Sequence, residues 1–365
     1  MNNPTPQALY QTVKDYAHLG EHRTGTECDH ETARWFARRL HDVGAEVDTQ
    51  TFSFPRFDAT WYLEIGGSPT VALPLFYGPT GVFDLRDVPV RRLDLSQYDE
   101  VTALCHLDKL IHQAKGDGAS GLIVETVSVT GEVYAMNAHP DWGYDFPVMF
   151  VGKQSGGRNR FHLNAQRVDG EADIVVGHLG GRSRLAPLII TTPFSGWFTC
   201  AGERGTGIAL AIALAATLSE NRPVVVIGTS GHEFQYLGSH YYLQSTTIDP
   251  GNYVLHLGSS LATLPSLSEG LSGIAHVTSG QFSAMSDCLA MSGITLTCPD
   301  DPTSSTCWQG ESEHWAPFGC QMMSLAGVSP AFHTPGDTPR MSTSSHLLQE
   351  MYEVTLETIE RMMVV

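Results

Sequence analysis

Long apolar runs are missing: no stretch of the 365-residue chain approaches the roughly 20 consecutive apolar residues that a membrane helix needs. A membrane partner is not expected. The first residues, MNNPTPQALYQTVKDY, lack both the basic start and the apolar stretch of a secretory signal, so a cytoplasmic location is the expectation. The seven cysteines are odd in number and contain no Cys-x-x-Cys pair, which argues against a disulfide framework and against a cysteine zinc site. They are expected to be reduced, mostly buried thiols. Basic residues are scarce. Lys and Arg total 21 against 39 acidic residues, and a net charge of −18 without a basic stripe repels a phosphate backbone. Nucleic acid is therefore excluded as a partner, and neither repeats nor low-complexity tracts are present.

What is there is an ordinary globular composition, 42% hydrophobic and 16% charged, in a chain longer than one core usually accommodates. Residues 5–20 place Leu9, Val13, Tyr16 and Leu19 near helical spacing, and Asp29 is the expected cap of a second helix that buries Ala33, Phe36, Leu40 and Val43 before Gly44. After Pro55 the texture changes to short strands broken by Gly, Pro and Asp, with a helix over Lys109 to Ala119, a strand at Gly121 to Val124 and another at 146–151. From Leu185 the order becomes strand, helix, strand, helix: PLIITT, Gly205 to Leu218, PVVVIGTS, then Leu237 to Gln244. That alternation signals a parallel sheet. A last helix, Ser342 to Met363, closes the chain. The expected fold is α/β, a mixed and largely parallel sheet flanked by helices, with residues 1–54 and 179–365 as the main domain. Residues 55–178 form a smaller β-rich insert.

In open α/β sheets ligands bind beyond the carboxyl ends of the strands, and three polar segments fall there: Ser195 with Cys200 to Gly207, Gly231 to Ser239, and Phe332 to Thr338. Glu203, Glu233 and His333 come from the three separately, and two carboxylates with an imidazole are a donor set that suits zinc. Arg204 either neutralises Glu203 in a structural ion pair or holds a substrate carboxylate with its planar fork. Ser195 is a strand-end cap or a nucleophile. His240 and His256 are expected to be packing or surface residues.

The order Ala-x-Glu-x-x-x-Gly (201–207), His-Glu-x-x-x-Leu-Gly-Ser (232–239), Ser-Glu-His-x-x-Pro-Phe (312–318) and His-Thr-Pro-x-Asp-Thr (333–338) resembles the di-zinc aminopeptidase and glutaminyl cyclase superfamily. The insert resembles that family's protease-associated domain through Lys109 to Val124 and FPVMFV, so the likeness spans nearly the whole chain. It implies a zinc-peptidase-like fold and a small-molecule or short-peptide substrate, and leaves a homo-oligomer open. The departures are informative. Where the family carries a His-x-Asp pair this chain reads Pro193-Phe-Ser195, and where its next strand ends in a metal-binding Asp this chain reads Leu255-His-Leu-Gly258. The resemblance then leaves Glu203, Glu233 and His333 as ligands of at most one zinc or other divalent ion, with a metal-free site as the alternative.

It also puts His232 in the position of the general base, where an imidazole with an ordinary pKa near 6.5 can accept a proton at neutral pH. Glu313 and His314 match pocket-lining residues of the family. Trp197, Trp315, Arg204 and Asp337 are candidate substrate contacts, Asp337 also fixing the His333 loop. The leading expectation is an aminopeptidase-like hydrolase of an amide, peptide or N-acyl amino-acid bond. The alternatives are a metal-free enzyme on the same fold, either a Ser195/His232 hydrolase or a lyase, epimerase or cyclase acting on an amino-acid derivative, and a non-catalytic binding module.

Overall fold

The computed structural model describes residues 4–95, 100–154, 156–180, 184–263, 273–277, 289, 293–327 and 329–364. Helix α1 (Pro6–Ala17) starts at Thr5, whose hydroxyl accepts from the Ala8 N–H, and buries Leu9, Val13 and Tyr16. Helix α2 (Glu27–Asp42) buries Ala33, Trp35, Phe36 and Leu40. Its cap is Thr26 rather than the expected Asp29: Thr26 accepts from the Asp29 N–H. Asp29 instead turns inward, where its carboxylate takes the Gly25 N–H and the Ser230 hydroxyl. Gly44, in the left-handed region at φ +95°, ends the helix.

Two long strands follow each other across the middle of the chain. β1 (Glu46–Ile65) and β8 (Asn159–Leu179) pair antiparallel from Glu46 opposite His178 to Ile65 opposite Asn159. Pro55 lies inside β1 rather than at its end. A proline removes one ladder donor, which an outer strand tolerates, and β1 is such a strand: beyond β8 its remaining neighbour is the two-residue β2 (Ser68–Pro69) at its far end. Between the long strands lie β3 (Ala72–Pro74), β4 (Gly81–Arg86), β5 (Val90–Asp94), α3 (Glu100–Gly116), β6 (Leu122–Val127) and β7 (Val148–Val151). Strands β3, β7, β6 and β5 make a separate four-stranded sheet, in that order. Helix α3 begins nine residues before the expected Lys109 and stops at Gly116.

The rest of the chain supplies β9 (Leu188–Pro193), α4 (Thr206–Leu218), β10 (Val224–Thr229), α5 (Leu237–Ser245), β11 (Tyr253–Leu257), β12 (Gly273–Val277), β13 (Ile294–Thr297), β14 (Gln321–Gly327) and α6 (Ser345–Val364). The main sheet runs β13-β12-β14-β11-β9-β10-β8-β1-β2, with β4 added on β8. Its centre is parallel, β14 to β11 to β9 to β10, and the expected mixed, largely parallel α/β class holds. One face packs on α1, α2, α4 and α6 through residues such as Phe36, Ile208, Leu214 and Tyr352. The other core joins the small sheet to the loops at the strand ends, with Phe57, Phe76 and Phe150 in one cluster with Trp197, Phe234 and Trp315. The described cysteines, Cys28, Cys105, Cys200, Cys298, Cys307 and Cys320, are all free; Cys288 lies outside the described residues. No helix among the described residues is long and apolar enough to cross a membrane.

Gly228, on β10, measures how closely α2 lies on the sheet. A β-carbon there would sit 2.4 Å from Phe36 Cε1 and 3.0 Å from Phe194 Cδ1, both rings fully buried. Overpacking of this kind costs about 1–3 kcal/mol. Gly228→Ala is therefore expected to lower the urea midpoint with the slope unchanged, and an unaltered midpoint would show that the helix is free to shift.

Candidate active site

Three loops leave the carboxyl ends of the parallel strands and meet the Gly20 to Gly25 loop. After β9, Ser195 is fully buried and its Oγ donates to Glu233 Oε2 at 2.8 Å. The same oxygen accepts the Gly231 and His232 N–H groups at 2.9 and 3.2 Å and the Thr24 hydroxyl at 3.1 Å. After β10 the chain reverses sharply: Gly231 takes φ +89°, and a β-carbon on it would lie 2.8 Å from Leu237 Cβ. A short 3-10 turn, His232–Phe234, follows, then two left-handed residues, Gln235 and Tyr236. Such backbone outside glycine costs of order 1–3 kcal/mol and collects at functional sites. His333 and Cys200 also have positive φ here, 56° and 27°. The turn sends Glu233 inward, where Thr24 N–H reaches Oε1 at 2.6 Å. Both carboxylate oxygens are therefore committed to protein donors.

Glu203 and Arg204 stand on a π turn, Ala201–Gly205, that runs into α4. Asp337 pins that turn: its carboxylate accepts the Gly202 N–H at 2.8 Å, the Glu203 N–H at 3.0 Å and the Ser342 hydroxyl at 2.5 Å. Burial raises Asp337 to about 6. Arg204 is fully buried; its Nε donates to the Ser195 carbonyl at 3.1 Å and its Nη2 lies 2.5 Å from Glu203 Oε1. His333 Nε2 is 3.2 Å from the same oxygen, and its Nδ1 donates to the Ala135 carbonyl at 2.8 Å. Burial by itself would raise Glu203, but the Arg204 charge and His333 outweigh it and hold the carboxyl below its usual range. Burial likewise disfavours charge on Arg204, and Glu203 more than restores it.

His232 belongs to a different pair, with Glu311. Its Nδ1 is 3.2 Å from Glu311 Oε1, and the Thr229 hydroxyl donates to Oε2 at 2.8 Å. The ring lies 4.7 Å from the Tyr236 ring, and among the described residues no side chain bonds Nε2. Burial, then the Arg204 charge, then His256, His333 and His314 hold the imidazole well below its ordinary value. Burial raises Glu311 to about 7 against the Thr229 hydrogen bond and Arg204. The inward carboxylate is Glu311 rather than the expected Glu313; both sit in one Glu-Ser-Glu-His run, and only the start of the short turn Ser312–Trp315 separates an inward from an outward side chain.

Glu313 is partly exposed and 3.6 Å from His314 Nε2, while His314 Nδ1 meets Ser239 Oγ at 2.8 Å. That pair lies beyond Tyr236, whose ring is 5.7 Å from His314. Trp197 is core: it packs on Phe76 and Phe234 and donates to Asn137 Oδ1 at 3.0 Å. Trp315 is 2% exposed and packs on Tyr242. His256 is buried against Thr191, Nδ1 to Oγ1 2.7 Å, and His240 bonds Gln244 on α5.

The expected zinc trio does not assemble around one point. Glu203 and His333 are together, while Glu233 accepts from the Thr24 N–H and the Ser195 hydroxyl. No group of three or more His, Cys, Asp or Glu among the described residues is arranged to hold a metal ion. The carbonyl on His333 Nδ1 is the kind of partner that orients a metal ligand. The guanidinium argues against it: Arg204 already balances the charge of Glu203, which leaves that pair with no net charge to draw in a divalent ion. These residues, as arranged, do not fit a zinc ion. Ser195 also lacks a nucleophile's geometry, since His232 meets it through the backbone N–H and not through the ring.

The sheet order and the solved structures that the chain resembles show a zinc-aminopeptidase-like α/β fold. The chain resembles a zinc aminopeptidase from Bacillus subtilis at TM-score 0.72 and 15% identity, over 98% of this chain and 96% of that one. A peptidase M28 precursor from Shewanella amazonensis is similar at TM-score 0.69 and 14% identity, over 96% and 94%. A glutaminyl cyclase from Bacteroides thetaiotaomicron, bound to N-acetylhistamine, follows at 0.51 and 9%, over 98% and 99%. No family model and no curated protein matches the sequence.

The Ser195 arrangement generates a direct expectation. A fluorophosphonate, which labels activated serines, should leave the mass of the intact protein unchanged. Stoichiometric labelling that disappears in Ser195→Ala would restore the nucleophile.

Proposed function

We propose that this chain is a metal-independent enzyme that hydrolyses an amide bond of a small acyl-amino-acid or short-peptide substrate, with His232 as general base. The observation that carries the reading is the His232–Glu311 pair: an imidazole at the carboxyl edge of the sheet, 3.2 Å from a buried carboxylate and with Nε2 free of partners among the described residues. Ionised Glu311 accepts the Nδ1 proton, which fixes the tautomer and leaves the Nε2 lone pair for a water proton. The water oxygen adds to the carbonyl carbon, the C–N bond breaks, and the proton on Nε2 passes to the leaving amine. Glu311 stabilises the transient imidazolium between the two transfers. The aminopeptidases and the glutaminyl cyclase among the structures that the chain resembles support a peptidase-like hydrolase or cyclase over the lyase and epimerase alternatives.

In this reading residues 1–54 and 179–365 make the catalytic unit and 55–178 the insert. The insert contributes to the site's wall: Ala135 bonds His333 through both its N–H and its carbonyl, and the Ala138 N–H bonds the Glu233 carbonyl.

The pH dependence follows from Glu311. Above about 7 it is ionised and His232 presents an open Nε2. Below about 7 the neutral carboxyl donates to Nδ1, the imidazole keeps its proton on Nε2, and the base is lost. Turnover of the true substrate should fall towards acid with a midpoint near 7, although the imidazole itself titrates far lower. Glu311→Gln should remove that limb. His232→Ala should lower kcat by about 10²–10⁴-fold with the fold intact. Near-native turnover in His232→Ala, or an unchanged limb in Glu311→Gln, would overturn the assignment.

A further inference from the structure

We infer that Arg204 is a built-in replacement for a metal ion: its guanidinium supplies, covalently and permanently, the positive charge that balances Glu203 beside His333. The inference rests on the site geometry and not on the assignment of His232 as base, so the kinetic test of His232 and the metal test below can fail separately. Arg204 has no solvent exposure, and the Glu203 and His333 side chains are 1% and 2% exposed. Three polar side chains from two distant parts of the chain therefore meet in the interior, away from the surface. A carboxylate so buried stays ionised only beside a cation. The nearest one is Nη2 of Arg204, 2.5 Å away.

The placement of the arginine is itself built. Nε is tied to the Ser195 carbonyl, and the same residue, Ser195, ties the loop to Glu233 through its side chain. The turn carrying both charged residues is fixed through two backbone N–H groups on Asp337. The contacts are ionic rather than saturated: Arg204 Nη1 and Nη2, both Glu203 oxygens and His333 Nε2 have no aligned hydrogen-bond partner among the described residues. An open ion cluster with one cation and one carboxylate, and no second free carboxylate, has no charge left to attract a divalent ion. Glu233 is oriented instead by the Thr24 N–H and the Ser195 hydroxyl.

The test needs no substrate. Protein purified without chelator should carry no stoichiometric zinc, manganese or iron by plasma mass spectrometry. Its Tm should be unmoved by added zinc and by EDTA, because a ligand that binds the native state must raise Tm. Arg204→Met, which keeps the stem and deletes the charge, should lower Tm, and Arg204→Lys should recover part of the loss. Should Arg204→Met not fold, the wild-type measurements still decide. One bound metal per chain, with a zinc-dependent rise in Tm abolished by His333→Ala, would overturn the inference, as would an Arg204→Met protein as stable as the wild type.

Discussion

A buried carboxylate cannot stay ionised alone, and most of this site can be traced to how Glu203 is neutralised. Taking an ion pair out of water costs several kcal/mol per charge, and only close geometry with supporting hydrogen bonds repays it. Arg204 supplies the charge, and the Ser195 carbonyl holds its Nε. Asp337 holds the backbone from which both side chains project. The π turn before α4 gives the two residues, adjacent in sequence, side chains that meet rather than diverge. Removing one partner from such a pair is more damaging than never having had it, which is why these neighbours act as a unit.

The same charge acts on the rest of this edge of the sheet. It opposes protonation of His232 and His256, and it favours the ionised form of Glu311 against the burial that raises it. Glu233 stands apart, locked to the Thr24 and Ser195 donors. The proposed function thus rests on two places at this edge, a buried charge cluster at Glu203 and the His232–Glu311 pair. They share Arg204 as the source of field.

The parallel core was readable because PLIITT and PVVVIGTS are continuous buried runs of β-branched residues, the pattern a strand covered on both faces must have. The ribbon was harder to read. Pro55 resembled a strand end, yet β1 continues to Ile65 because a proline is tolerated where little pairs with the strand's outer side. At the site, motif order located His232, Glu203 and His333 but could not tell a ligand from a counter-ion. That choice depends on where Arg204 folds. Glu311 was hidden for a related reason: its neighbour Glu313 carries the same chemistry, and only the start of a four-residue helical turn decides which of the two faces inward.

The central claim, that a guanidinium occupies the place a metal would need, is tested most directly by a crystal grown in zinc and measured across the zinc absorption edge. The account predicts the Arg204 guanidinium against the Glu203 carboxylate and no anomalous peak beside them. An anomalous peak about 2.0–2.2 Å from Glu203, Glu233 and His333, with the Arg204 side chain swung away, would contradict it.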